Sequence, residues 1–282
     1  MKGLVIMSMK RIKILRLFTG ILLSIGLIIM LYPFLWMLIT SFKREVDIRS
    51  FPPTLFSVNY TFENYINIWR RIPFLLYYRN TIIFASCVTM CSIILDSMAG
   101  YSFARIDFKG KNILFVFVLL TLMIPFQVIM VPLYSELFHL KLLNSYLGLI
   151  LPRATNAFGI FMMRQFFVSL PKGLEEAARI DGCSEFQIYK KIMLPLCKPA
   201  LITLIIFHFM YNWNDLLYPL IIATKPEMKT LSAGLASFMG THVVDYGIMM
   251  AGSIMSLLPI FVFYCFAQKV FVQGIAMTGM KG

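Results

Sequence analysis

Residues 169–198 read SLPKGLEEAARIDGCSEFQIYKKIMLPLCK, a polar stretch set between two long apolar runs. Pro171 suits a helix start, and Glu175 and Glu176 fall in the first turns, where the helix dipole favours negative charge. Gly182 offers the left-handed cap that ends this helix. Ser184 and Gln187 then have the spacing of a capping box for a second short helix, which Pro195 is expected to close. The stretch therefore reads as a helix, a glycine elbow and a helix lying outside a bilayer.

The bilayer follows from the rest of the chain. Of its 282 residues 59% are hydrophobic and only 14% charged, against roughly a quarter charged in a soluble domain. That composition excludes a soluble globular enzyme and suits apolar helices of about 20 residues in lipid. The basic start (Lys2, Lys10, Arg11, Lys13, Arg16) precedes an apolar run too long for a signal peptide. Spans are predicted at about 17–40, 80–104, 112–133, 146–168, 199–222 and 246–268. The organisation is then an N-terminal segment 1–16, a six-span domain 17–268 enclosing the polar loop 169–198, and a tail 269–282. The fourth run carries Pro152, Arg153 and Asn156 and fits either a full span or a broken or re-entrant helix. Residues 133–143 space Leu133, Leu137 and Leu140 for an amphipathic turn or helix at the outer surface.

The net charge of +13 marks loop asymmetry rather than nucleic acid. With the N-terminus inside, the inner segments hold 16 Lys and Arg and the outer ones nine, with Arg153 completing the 26. The positive-inside rule then places both termini in the cytoplasm. The basic outer loop 41–79 mixes turn formers with Tyr60, Tyr65 and Trp69, which suits interfacial anchoring. Five cysteines without a CxxC pair and three histidines without HExxH spacing predict neither a disulfide framework nor a metal site.

Glu176, Ala177, Ala178, Gly182, Ile192, Leu194 and Pro195 together fit, at all seven specified positions, the EAA motif of permease subunits of bacterial ABC importers. Tyr101–Arg105, Asn212–Asp215 with Pro219, Thr230–Leu235 and the closing Gly279–Gly282 resemble the carbohydrate-uptake permeases of that family. The resemblance implies an all-α type I ABC importer permease fold in the bacterial cytoplasmic membrane. It implies a second, homologous permease, two ATPase subunits and an extracytoplasmic solute-binding protein as partners, and a sugar or oligosaccharide as cargo. A polyol or glycerol-phosphate cargo is the alternative within the family. Residues 169–198 would be the ATPase-coupling loop, with Glu175, Glu176, Ala177, Ala178, Asp181, Gly182, Ile192, Leu194 and Pro195 as its functional positions. Ala177 and Ala178 would permit close approach, and Glu176 would meet a basic residue of the ATPase. Gly279, Lys281 and Gly282 would reach toward the ATPase dimer or form a frayed end. The outer loop 223–244 would meet the binding protein or cap the bundle. No GxxxxGK[ST] phosphate loop occurs, so ATP and Mg are expected on the partner subunits and no cofactor or catalytic residue on this chain.

Polar residues inside spans are the remaining candidates, since each is costly in hydrocarbon without a partner or a cavity. His208, Asn212 and Asp215 stand at i, i+4 and i+7 and would share one face of a continuous helix. They suit either a translocation path for a hydroxyl-rich solute or interhelical hydrogen bonds, and Asn156 is open to the same two readings. Ser92, Asp96, Gly100 and Ala104 form a close-packing stripe. Asp96 within it would pair with Arg153, pair with another helix, or be protonated. An ion-coupled secondary transporter working through Asp96 or Asp215 is the competing class. It should lack the helix–glycine–helix loop and show internal repeats.

Overall fold

The computed structural model describes residues 2–57, 59–241 and 245–279, with side chains for 15–57, 59–236 and 245–265. The described elements are helical: α1 Lys2–Ser41, α2 Glu45–Ile48, α3 Glu63–Arg71, α4 Phe74–Arg105, α5 Lys111–Thr121, α6 Phe126–His139, α7 Tyr146–Ile150, α8 Ala157–Ser169, α9 Gly173–Ile180, α10 Glu185–Ile188, α11 Leu194–Leu196, α12 Lys198–Trp213, α13 Leu217–Ile222, α14 Leu231–Thr241 and α15 Tyr246–Gly279. Among the described residues, three helices are long and apolar enough to cross a membrane: Leu15–Ser41, Phe74–Arg105 and Tyr246–Cys265. Two bent pairs raise the number to five if each pair counts as one span.

The middle runs are broken, and each break has a local cause. The run expected over 112–133 becomes α5 and α6, bent by 97°. Pro125 supplies no N–H to continue α5, and it disfavours helical backbone at Ile124. The amphipathic segment expected from Leu133 is the second half of α6, which ends in a turn with Lys141 and Asn144 at positive φ. The run over 146–168 splits into α7, a single 3-10 turn Leu151–Arg153, and α8. Asn156 caps α8, its Oδ1 accepting from Phe158 N at 2.8 Å. The run over 199–222 stops at Trp213 and resumes as α13. There Asn214 Nδ2 donates to Met210 O at 2.8 Å and Asp215 Oδ1 accepts from Tyr218 N at 3.3 Å, side-chain bonds that compete with helix continuation. Asp215 therefore does not continue the helical face of His208 and Asn212 as the spacing predicts. At the far end α15 runs on to Gly279, past the span limit expected at residue 268.

The chain forms two compact units. The first comprises Met1–Arg71 and Val243–Met255. Within it Asn64, buried, donates to Ser41 O and Lys43 O at 2.8 Å each, which fixes α3 to the end of α1. Arg71 pairs with Asp245 at 3.1 Å. The membrane-length part of α1 has none of its apolar window buried within the chain.

The second unit, Ile72–His242 with Ser256–Gly282, is organised around α4. In lipid, helices associate by close packing and hydrogen bonding rather than by a hydrophobic force, and α4 uses both. A Cβ on its Gly100 would fall 2.7 Å from Met163 Cβ and 2.9 Å from Arg164 N of α8. Across the same seam a Cβ on Gly159 would fall 2.2 Å from Asp96 Oδ2, so only glycine admits the carboxylate. At the other end of α4, Asn80 Nδ2 donates to Glu227 O at 2.8 Å and Lys229 O at 3.0 Å, and Thr81 Oγ1 accepts from Leu231 N at 2.8 Å. The loop expected over 223–244 thus contains a helix, α14, whose start is seated on α4. Two buried clusters result: one around Phe84, Leu149 and Tyr218, the other around Tyr101, Phe167, Tyr189 and Met193.

Candidate functional site

The loop over 169–198 is a helix, an elbow and a helix, with several expected details changed. Helix α9 begins at Gly173, two residues after Pro171, and carries Glu175 and Glu176 in its first turn. Gly182 takes φ +80° and ends it in a Schellman motif: Cys183 N donates to Ala178 O at 3.0 Å and Gly182 N to Arg179 O at 3.1 Å. The capping box is present, with Gln187 Oε1 accepting from Ser184 N at 2.8 Å and Ser184 Oγ from Gln187 N at 3.4 Å. Pro195 does not close the second helix. Residues Tyr189–Met193 widen into a π turn, and Pro195 sits in α11, which continues the same helix to Leu196. The break comes at Cys197, with an 80° bend before α12.

The loop is bound to α4 by a charged and hydroxyl network. Arg105, the last residue of α4, pairs through Nε with Glu175 Oε1 at 3.2 Å, both side chains 4% exposed. Its Nη2 donates to Phe167 O and Leu170 O at the C-terminal end of α8, where a cation is favoured. Arg179 binds Glu185 at 2.7 Å, and Tyr101 OH donates to Glu185 Oε2 at 3.1 Å. Ser97 Oγ and Tyr189 OH are 2.7 Å apart. Burial pushes the Glu175 carboxyl above the usual carboxylate range, with Arg105 and Arg179 pulling the other way.

These contacts sort the expected loop residues into two faces. Glu175 and Ala178 turn inward, and Ala178 packs in the Tyr101–Phe167 cluster. Ala178 thus packs against this chain's own helices, while Ala177 stays on the exposed face. Glu176, Ala177, Asp181 and Gly182 are exposed, Ile192 and Leu194 half-buried, and Pro195 exposed. Beside them the outward face carries large apolar side chains: Leu174, Ile180 at 86% exposure and Phe186 at 58%. Sequence reading missed Arg105 as a partner of the loop, because the two lie far apart in the chain.

The intramembrane candidates meet where the breaks occur. Asp96, fully buried on α4, accepts from Thr155 Oγ1 at 2.6 Å and Asn156 N at 3.0 Å. It thereby satisfies an N–H freed by the break before α8, as lipid requires. Its Oδ2 lies 3.5 Å from His208 Nε2 on α12. Asp96 does not pair with Arg153. That guanidinium holds Asp215 Oδ2 at 2.7 Å and lies against the rings of Phe126, Tyr218 and Tyr211 at 4.1, 4.9 and 5.5 Å. Of the four path candidates, Asn156, His208 and Asn212 line one cleft of about 450 Å³ together with Arg153, Thr155 and Tyr211. Asp215 stands behind Arg153. Tyr211, three residues after His208 and one before Asn212, was open to detection by its spacing. Gly279 is the last residue of α15, while Lys281 and Gly282 lie outside the described residues.

The described residues thus combine membrane-length helices, broken inner helices and a helical loop outside them. Residues 93–276 match the profile of the family described as binding-protein-dependent transport system inner membrane component, and the chain belongs to that family. It is 36% identical over 268 residues to the arabinooligosaccharides transport system permease protein AraQ of Halalkalibacterium halodurans, covering 93% of this chain and 96% of that one. It is 33% identical over 271 residues to the trehalose/maltose transport system permease protein MalG of Thermococcus litoralis, covering 93% and 97%. Among solved structures it is similar to a chain of a bacterial ABC transporter involved in the import of the acidic polysaccharide alginate, at TM-score 0.81 and 25% identity over 92% of this chain and 97% of that one. The protein is an ABC permease of the cytoplasmic membrane, multi-pass, that works with ATPase and substrate-binding subunits.

Proposed function

We propose that this chain is one of two homologous permeases in an ATP-driven importer that carries a sugar or oligosaccharide inward by alternating access. The observation that carries the reading is the α9–Gly182–α10 unit, paired to α4 through Arg105–Glu175 while it presents Leu174, Ile180 and Phe186 outward. In this reading the apolar face sits in a groove of the ATPase subunit and exposed Glu176 meets a basic residue there. ATP and Mg stay on the two ATPase subunits. Because the loop is pinned to α4, closure of the ATPase pair around ATP turns α4 and the helices packed on it. The saccharide cargo is supported by the named transport substrates of the relatives above. The basic 1–16 segment and the 169–198 loop then face the cytoplasm, with the tail, while loop 223–244 faces the solute-binding protein.

Uptake of labelled saccharide into proteoliposomes holding the complete complex tests the reading. Uptake should require ATP and the ATPase subunits and should ignore a collapsed proton gradient. Uptake that persists without the ATPase and collapses with the gradient would show an ion-coupled carrier instead.

A further inference from the structure

Where α4 ends, a second cavity of about 540 Å³ opens between the last turn of α4, the first turn of α5 and Arg164 of α8. It shares no lining residue with the cleft beside α12. Its wall carries two cations, Arg164 and Lys111, and one carboxylate, Asp107. Arg164 is half-buried. Its Nε donates to Phe103 O at 3.2 Å and its guanidinium lies 4.2 Å from the centre of the Phe115 ring, which fixes the group in place. Its two Nη nitrogens have no acceptor among the described residues. Lys111, with 17% of its side chain exposed, meets Asp107 at 3.3 Å, but that carboxylate stands wholly in water, where an ion pair holds weakly. Asn112 and Ile113, in the first turn of α5, also line the cavity. N–H groups at such positions have no intrahelical acceptor and sit at the positive end of the helix dipole. The cavity is therefore suited to an anion.

The surroundings select the form of that anion. Helix α4 is long and apolar enough to cross a membrane, and the cavity lies at its end. Phe103 and Phe108 form part of the wall. Ile113 is 65% exposed, and Val116 and Phe117, which follow it at i+3 and i+4 on the same face, are 53% and 61% exposed. A small hydrophilic anion gains nothing from that apolar flank, whereas a phospholipid sets its phosphate at the interface and its acyl chains along α5. Basic pockets between membrane helices on the cytoplasmic side bind anionic headgroups, and the topology proposed above puts this end of α4 inside. We propose that the cavity holds the phosphate of an anionic phospholipid of the inner leaflet, with Arg164 and Lys111 as its cations. The lipid then braces the end of α4 at Arg105, which stands between the lining residues Ala104 and Asp107 and holds Glu175.

The test titrates the complete, delipidated complex in a neutral detergent with phosphatidylglycerol and, in parallel, with phosphatidylcholine, and counts bound lipid by native mass spectrometry. The wild type should bind phosphatidylglycerol more tightly than phosphatidylcholine. Arg164→Gln and Lys111→Gln should each weaken the tightest phosphatidylglycerol site about fivefold, and the double variant about thirtyfold. Phosphatidylcholine binding should not change in any of them. Asp107→Asn, which releases Lys111 from its only carboxylate among the described residues, should strengthen phosphatidylglycerol binding. If Arg164→Gln does not assemble, Lys111→Gln and Asp107→Asn, both at the cavity mouth, carry the test. Equal phosphatidylglycerol affinity in the wild type and Lys111→Gln overturns the site, and is also what a cavity covered by a neighbouring subunit would give. Phosphatidylcholine held as tightly as phosphatidylglycerol overturns it as well. Radiolabelled inorganic phosphate bound as tightly as the lipid, with the same loss in Lys111→Gln, overturns the lipid assignment in favour of a soluble anion.

Discussion

Arg105 carries more contacts than its position at the end of a helix suggests. It closes α4, takes two carbonyls from the end of α8 and holds the buried carboxylate of Glu175. Removing one member of a buried pair leaves the other uncompensated, so Arg105→Ala should destabilise the protein by about 3–5 kcal/mol. Arg105→Leu with Glu175→Leu should recover most of that loss, and thermal unfolding of the purified complex measures both. The cost should also depend on pH. Glu175 is raised above its ordinary value of 4.5 chiefly by burial, so the folded chain binds that proton more tightly than the unfolded one. The contribution therefore grows as pH falls toward 4.5 and is lost as pH rises through the folded value. The Arg105→Ala deficit should accordingly be full at neutral pH and shrink on acidification; a deficit flat in pH would remove Glu175 from the account. Neither partner of this pair could be matched to the other from the sequence, since an ion pair between distant segments has no local signature.

Among the elements, the elbow was legible and the breaks were only partly so. Gly182 and the Ser184–Gln187 box are interactions within a few residues, and both stand where their sequence places them. A bulky residue at φ +80° is strained by roughly 1–2 kcal/mol and would alter the angle between α9 and α10. Gly182→Val should therefore lower ATP-dependent uptake at least about tenfold while the protein stays in the membrane, as immunodetection in the membrane fraction would check. Uptake at the wild-type level would detach the elbow from coupling. Asn156→Ala removes the cap of α8 and should cost about 1 kcal/mol, again read from thermal unfolding. Asp215 shows where the periodicity argument stops. Counting 100° per residue assumes a continuous helix, whereas α12 ends at Trp213. The adjacent Asn214 and Asp215, both prone to bonding the backbone, were the available sign of that end.

At the scale of the whole molecule, membrane insertion follows from composition, and the distribution of basic residues predicts the sidedness proposed above. We expect a single cysteine placed at Lys10 in a cysteine-free background to react with an impermeant maleimide only after the cytoplasmic side is opened. A cysteine at Ser57 should react from outside in intact cells. The reverse pattern would invert the proposed topology and place loop 169–198 on the side away from the ATPase. The same background, made by replacing Cys87, Cys91, Cys183, Cys197 and Cys265, should retain uptake, since no disulfide joins them.

The sequence by itself determined that the chain is helical and membrane-embedded, that one polar helical loop stands apart from the apolar runs, and that the loop resembles the family's motif. Apolar content, helix caps and a left-handed glycine act over a few residues and need no knowledge of the fold. Only the tertiary structure decided that Ala178 faces inward, that Asp96 serves the break before α8, and that Arg153 is neutralised by Asp215. Those outcomes depend on which helices pack together and where they break. In lipid every charge and freed backbone group must then find a partner inside the protein.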